Sequence, residues 1–265
     1  MSGLEGIALG ALAAAIASGS LVGFTLGLVG GGGSILATPL LLYAVGVANP
    51  HVAIGTSALA VAASAYLALV GHARAGHVRW RCGLVFAVVG VLGALGGSSL
   101  GKAVDGQGLL FLFGLLMIVV GFLMLRPRRG PHVPEHPADL RTCAITAVTA
   151  LGAGALSGFF GIGGGFLIVP ALILATGMPM IGAVGTSLLA VGTFGLTTAV
   201  NYAASGLVDW PVAGLFIVGG LLGGQLGGRL AMRLAKQKAT LQRIFAGLIF
   251  VVAAYVLWRS GQQFL

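Results

Sequence analysis

Carboxylates are the scarcest chemistry in this chain. Its 265 residues hold five Asp and Glu against 14 Lys and Arg, and charged side chains reach only 7%, where a soluble domain carries about a quarter. That shortage excludes an ordinary water-soluble fold. None of the five carboxylates falls inside an apolar stretch long enough to cross a membrane, which argues against carriage of bare divalent metals, since these want several carboxylate oxygens. Paired carboxylates, a Ser/His/Asp set and an HExxH motif are absent from those stretches too, so the chain is expected to be no enzyme and to need no cofactor. The two cysteines, Cys82 and Cys143, have neither a pairing pattern nor a metal-ligand spacing. The N-terminal MSGLEGIALG lacks the basic region of a secretory signal, so its apolar segment is expected to be a retained helix. His51, His72 and His77 are expected at or beyond helix ends, as solvated loop residues.

What is present is apolar. Hydrophobic residues make up 58% and the mean hydropathy is +1.07, more apolar surface than one globular core of this length hides. Between Glu5 and Arg74, and again between Arg141 and Asp209, no charged residue occurs; these runs of 68 and 67 residues each exceed one membrane helix of about 20 residues. The chain reads as polytopic. Its excess of positive charge is confined to HARAGHVRWR (72–81), RPRRG (126–130) and RLAMRLAKQKATLQR (229–243), short segments between apolar spans. Such loops face the cytoplasm and its anionic lipid, so the implied partner is membrane lipid and not nucleic acid.

The two halves of the sequence repeat each other. GGGGSILATPLLLYAVG (30–46) lies over GIGGGFLIVPALILATG (161–177) at an offset of 131, and GTSALAV (55–61) lies over GTSLLAV (185–191) at 130. Gly76 and Trp80 then match Gly206 and Trp210, and Gly90, Gly93 and Gly97 match Gly220, Gly223 and Gly227. Run lengths and breaks predict five helical elements per half: 4–29, 35–48, 51–70, 83–104 and 108–125, then 143–161, 165–178, 181–204, 211–234 and 239–258. The elements at 35–48 and 165–178 are short for the hydrocarbon core, and either tilt across it or form re-entrant hairpins. The domains are therefore a first repeat (1–125), a cytoplasmic linker (126–141) and a second repeat (142–265). Five elements is an odd number, so the second repeat enters from the opposite face. Alternation then puts all three basic loops on one side and both termini outside the cytoplasm. The fold class is an all-α polytopic membrane protein built of two inverted repeats with glycine-broken helices.

Inverted repeats with broken helices are the plan of secondary transporters, with a substrate site near mid-membrane between the repeats. The candidate breaks are Gly30 to Ser34 and Gly161 to Gly165. A helix starting inside the membrane aims its unpaired N–H groups and positive dipole end at the break, which suits an anion. Pro39 and Pro170 are expected in the first turns after each break, where a missing N–H costs little. The regularly spaced rows 90/93/97 and 220/223/227 read instead as packing faces. The substrate-binding candidates are Gly31, Gly32, Gly33 and Ser34 with Gly163, Gly164 and Gly165, assisted by the hydroxyls of Thr56, Ser57, Thr186 and Ser187. Asn201 and Tyr202 are weaker candidates, near a helix end. No buried ionisable group marks a proton relay, so whether a proton or a sodium ion drives transport is not written in the sequence.

The duplicated GLVGGGGSILATPLLL and GFFGIGGGFLIVPALI, each followed by GTS and closed by G-x-V-x-W, resemble the paired signatures of the TauE/SafE family of sulfite and sulfonate exporter-like permeases. The resemblance covers nearly the whole chain. It implies an inner-membrane exporter of small sulfur-containing oxyanions such as sulfite, sulfoacetate or other organosulfonates. Ser34 stands where the second copy has Gly165, so the two half-sites need not be equivalent. An anion channel and a non-transporting membrane scaffold are the alternatives.

Overall fold

The computed structural model describes residues 2–125, 140–161, 165–234 and 238–261, and all regular structure there is helical. The helices are α1 (Ser2–Val29), α2 (Ala37–Leu40), α3 (Pro50–Arg74), α4 (Trp80–Ala103), α5 (Gly106–Leu125), α6 (Leu140–Phe160), α7 (Gly165–Thr176), α8 (Met180–Ala203), α9 (Trp210–Leu234) and α10 (Lys238–Gly261). Short α2 is flanked by a 3-10 segment, Gly30–Leu36, and a π segment, Leu41–Val45. Among the described residues five helices are long and apolar enough to cross a membrane: Gly10–Val29, Pro50–Arg74, Trp80–Ala103, Met180–Ala203 and Trp210–Arg233. Leu92, Leu222, Val148 and Val251 stand exposed on the outside, as a lipid-facing surface requires. The protein is a multi-pass membrane protein.

Local chemistry explains where these helices stop and start. Every described residue with positive φ is a glycine, and the six form three repeat-related pairs: Gly30 (71°) with Gly161 (64°), Gly46 (86°) with Gly177 (70°), and Gly76 (71°) with Gly206 (70°). Each ends a helix by turning the backbone left-handed, a conformation that a Cβ penalises by about 1 kcal/mol or more. Two of the scarce carboxylates begin helices. Asp105 Oδ2 accepts from the Gln107 and Gly108 amides at 3.1 Å each, and Asp209 Oδ1 accepts from the Val212 amide at 3.1 Å. Both satisfy orphan donors and complement the dipole. Asn49 does the same for α3, accepting from His51 N–H at 2.9 Å with Pro50 following at the first helical position.

The helices pack by exchange between halves. α1 lies along α9 and its counterpart α6 lies along α4; α3 crosses α8, and α5 crosses α10. The seams are parallel: Gly19, Gly23 and Gly27 meet the backbone at 216, 220 and 224, and Gly93, Gly97 and Gly101 meet it at 151, 155 and 159. Gly154 and Gly158 close the same seam from the α6 side, against the Gly90 and Ala94 carbonyls. The glycine rows are thus packing faces, as their spacing predicts. The α3–α8 pair runs antiparallel, with Gly55 against Tyr202, Gly195 against Ala58 and Ala62, and Gly185 against His72. α5 and α10 are antiparallel as well, Gly114 meeting Leu257 and Gly121 meeting Phe250.

This packing sorts charge. Arg74 and Arg229 line one crevice at one end of the bundle, while Lys102 and Asp209 lie at the other, bonded to Asn201 at the end of α8 and to Thr56 near the start of α3.

The sequence boundaries need small corrections. α3 runs to Arg74, four residues past its expected end, and α4 starts at Trp80. Leu140 and Arg141, expected in the linker, open α6; residues 126–139 lie outside the described residues. The seams yield a direct check. Gly97→Leu, whose side chain would strike the Ala155 carbonyl, is expected to lower the melting temperature of the purified protein in detergent by several degrees. Gly96→Leu, which meets nothing within 4 Å, is expected to leave it within a degree or two.

Candidate functional site

The first glycine segment is wound rather than open. α1 stops at Gly30, and the chain doubles back so that Gly33 lies on the α1 backbone at Thr25 and Leu26. The 3-10 turns that follow lead into α2 and its π tail, which end at Gly46 just before α3. The poorer hydrogen-bond geometry of 3-10 turns is what a glycine run tolerates where an α-helix is destabilised. Pro39 lies in α2 and Pro170 in the second turn of α7, within the first turns after each break.

Hydroxyls from the third helix of each repeat hold this segment at both ends. The Gly31 amide donates to Ser187 Oγ at 3.2 Å, and that hydroxyl donates to the Val184 carbonyl at 2.8 Å. Ser34 Oγ donates back to the Gly31 carbonyl at 2.9 Å. Further on, Thr38 Oγ1 and Ser57 Oγ stand 2.8 Å apart. Ser57 already donates its proton to the Ile54 carbonyl at 2.9 Å, so Thr38 is the donor. Between these anchors the two glycine segments meet: a Cβ on Gly31 would sit 2.5 Å from the Gly165 Cα and 2.7 Å from its carbonyl oxygen. The Val191 side chain borders the same spot, with its Cγ2 also 2.5 Å from that Cβ position. Ser34, Ser57 and Ser187 are completely buried.

Thr56 and Thr186, equally buried, do something else. Thr56 Oγ1 accepts from the Asp209 amide and Thr186 Oγ1 from the Arg79 amide, each at 2.9 Å. Each threonine thereby fastens the loop that enters the fourth helix of the opposite repeat. The antiparallel crossing sets the two GTS motifs at opposite ends of the α3–α8 pair, roughly 25 Å apart at 1.5 Å per helical residue. The structure therefore joins each serine to the glycine region and keeps the two GTS motifs apart. Of the remaining sequence candidates, Gly163 and Gly164 lie outside the described residues, and Gly32 falls within the 3-10 segment.

Asn201 forms a polar knot at the end of α8. Lys102 Nζ donates to Asn201 Oδ1 at 2.8 Å, to its carbonyl at 3.2 Å and to Ser205 Oγ at 2.9 Å, while Asn201 Nδ2 donates to Ser98 at 2.6 Å and Ser99 at 3.1 Å. Tyr202 is fully buried beneath it, with the Lys102 ammonium 5.9 Å from its ring centre and its hydroxyl without a partner among the described residues. The histidine expectation is overturned at His72. Because α3 extends to Arg74, His72 lies inside its last turn at 2% exposure, with Nε2 3.3 Å from the Gly27 carbonyl. His51 and His77 are partly buried, each with its Nδ1 buried and unpartnered. Sequence reasoning also passed over Thr38, whose counterpart is the apolar Val169; only its place in the duplicated segment was a signal.

The family model described as sulfite exporter TauE/SafE matches residues 15–256. The chain belongs to the TauE/SafE family. Two proteins of Xylella fastidiosa strains, both named "Probable membrane transporter protein", are 61% and 60% identical over 246 residues, covering 92% of this chain and 94% of theirs. The "Probable membrane transporter protein YunE" of Bacillus subtilis is 29% identical over 222 residues, covering 76% of this chain and 81% of its own. No solved structure matches. This TauE/SafE chain is accordingly a membrane transporter, and the buried meeting of its glycine segments is the candidate site.

Within that site the Gly31 amide depends on one hydroxyl. Ser187→Ala removes it and leaves a buried donor unpaired, at a cost of about 1–3 kcal/mol. The melting temperature of the TauE/SafE protein in detergent is expected to fall by several degrees; an unchanged value would show that the amide has another partner.

Proposed function

We propose that this protein is a secondary transporter that exports small sulfur-containing oxyanions, such as sulfite, sulfoacetate or other organosulfonates. It works by alternating access at a mid-membrane site between two inverted repeats, 1–125 and 142–265, joined by a cytoplasmic linker. The observation that carries the reading is the contact of Gly31 with Gly165, two backbones meeting in a fully buried region that holds hydroxyls and no carboxylate. Backbone amides and hydroxyl protons in such a region suit an anion, and the lack of a carboxylate disfavours a bare divalent metal. The antiparallel α3–α8 and α5–α10 pairs support the inverted arrangement, because corresponding helices of a same-way repeat would run parallel.

In this mechanism the Ser187 hydroxyl occupies the Gly31 amide in the empty state, and an oxyanion oxygen takes its place when substrate arrives. Gly31, Gly32, Gly33 and Ser34 supply donors from one repeat, and Gly163, Gly164 and Gly165 from the other. Ser57 and Ser187 hold the two segments in register, while Thr56 and Thr186 keep the loops of the opposite repeat attached during rocking. On this reading the protein lies in the inner membrane, and the positive-inside rule favours the Arg74/Arg229 end toward the cytoplasm and both termini outside it. A proton or sodium gradient supplies the drive.

The test is flux of sulfite, sulfoacetate, thiosulfate and sulfate in proteoliposomes under imposed pH and sodium gradients. Accumulation of at least one sulfur oxyanion against its own gradient is expected, and Gly32→Val and Gly164→Val are each expected to reduce it by at least tenfold while the protein remains in the membrane. Normal transport by both variants would sink the site assignment. Passive flux far above a carrier's rate, without accumulation, would make the protein an anion channel.

A further inference from the structure

A crevice of about 440 Å³ opens between α3 and α9 at the arginine end of the bundle. Its wall includes Ser64, His72 and Arg74 from α3, with Gln225 and Arg229 from α9. His72 is 2% exposed and its Nδ1 has no hydrogen-bond partner among the described residues. Arg74 and Arg229 are exposed at the rim, and no described carboxylate pairs with either; Asp105 and Asp209 cap helices at the opposite end. Two unpaired guanidinium groups over an apolar-walled cleft focus a positive potential into it, and each presents the planar fork that matches an oxyanion.

The repeat supplies an internal comparison. At an offset of 130, Ser64 corresponds to Phe194, Gly71 to Asn201, His72 to Tyr202, Arg229 to Ser99 and Met232 to Lys102. There the same helix pair is shut. Phe194 fills the space over Gly90 and stacks on Phe86 with ring centres 6.1 Å apart, and Lys102 ties Asn201 and Ser205 together above it. At the arginine end the ring is replaced by the Ser64 hydroxyl beneath Gly220, and Gly71 and Met232 cannot form a clamp.

We propose that the α3–α9 crevice is a binding site for a small oxyanion, entered from the arginine face, with Arg74 and Arg229 as its recruiting cations and His72 and Ser64 as its inner polar contacts. The Lys102–Asn201 knot and Phe194 are the closed gate of the opposite face. Placing this site on the transport route rests on the transporter reading above; its anion chemistry stands on the crevice itself.

The experiment titrates the purified full-length protein in detergent with sulfite, sulfoacetate and sulfate by calorimetry. In parallel it follows flux of the same three ions in proteoliposomes. Wild type is expected to bind at least one of them. The Arg74→Gln/Arg229→Gln double variant, which changes only exposed rim residues, should bind it about tenfold more weakly and raise the KM for flux by a similar factor. Ser64→Phe, which installs the plug found at the closed end, should abolish binding while the protein elutes as a single species. A second probe covers misfolding of that variant: Leu67→Cys, in a Cys82→Ser/Cys143→Ser background, should react with an impermeant maleimide, and sulfoacetate or sulfate should slow the reaction at least threefold. Absence of binding in wild type, unchanged affinity in the double variant, or labelling that neither anion slows would each overturn the proposal. Flux that stays normal in the double variant would remove the crevice and leave the transporter reading intact; binding without any flux in wild type would do the reverse.

Discussion

Everything in this protein rests on helices approaching closely enough for one backbone to touch another. In a bilayer the hydrophobic effect does not push helices together, so association relies on close van der Waals packing and on small residues that permit it. The α1–α9 and α4–α6 seams supply this with glycines whose missing Cβ positions are occupied by carbonyls of the neighbouring helix. The same device operates where Gly31 meets Gly165. There it brings two backbones together beside the Val191 side chain, with the Ser34 and Ser187 hydroxyls bonded to Gly31. Packing and candidate site are therefore one solution to one constraint.

Several of the polar groups that remain serve helix ends. Asp105 and Asp209 cap α5 and α9, Thr56 and Thr186 fasten loops, and Lys102 closes a knot with Asn201. Among the described residues no carboxylate is buried, and Arg74 and Arg229 stand at one end around the α3–α9 crevice.

Much of this was legible in the sequence, and the reasons for the rest are specific. Ten helical elements could be read because apolar runs and glycine breaks recur in both halves, and the glycines that end helices are repeat partners down to their backbone angles. The packing role of Gly93, Gly97, Gly223 and Gly227 followed from their spacing. The separation of the GTS motifs was not legible, since similarity between two segments says nothing about their distance once corresponding helices run antiparallel. The burial of His72 is not legible because the apolar run stops at residue 70, although α3 carries on to Arg74. Thr38 and Ser64 were overlooked because each is polar in one copy and apolar in the other. The residues that distinguish the two ends are those at which the two copies differ.

The exchange of partners between halves also orders assembly in time. α4 and α6 are joined soon after α6 emerges, with Gly90 meeting Gly154. α1 meets α9 through Gly23 and Gly220, about 200 residues later in synthesis, a separation of the kind that slows folding. The first helix inserted waits for the ninth before its seam closes, so nascent protein spends most of its synthesis with that edge unzipped, and a chaperone or insertase that shields a glycine-lined helix would act there.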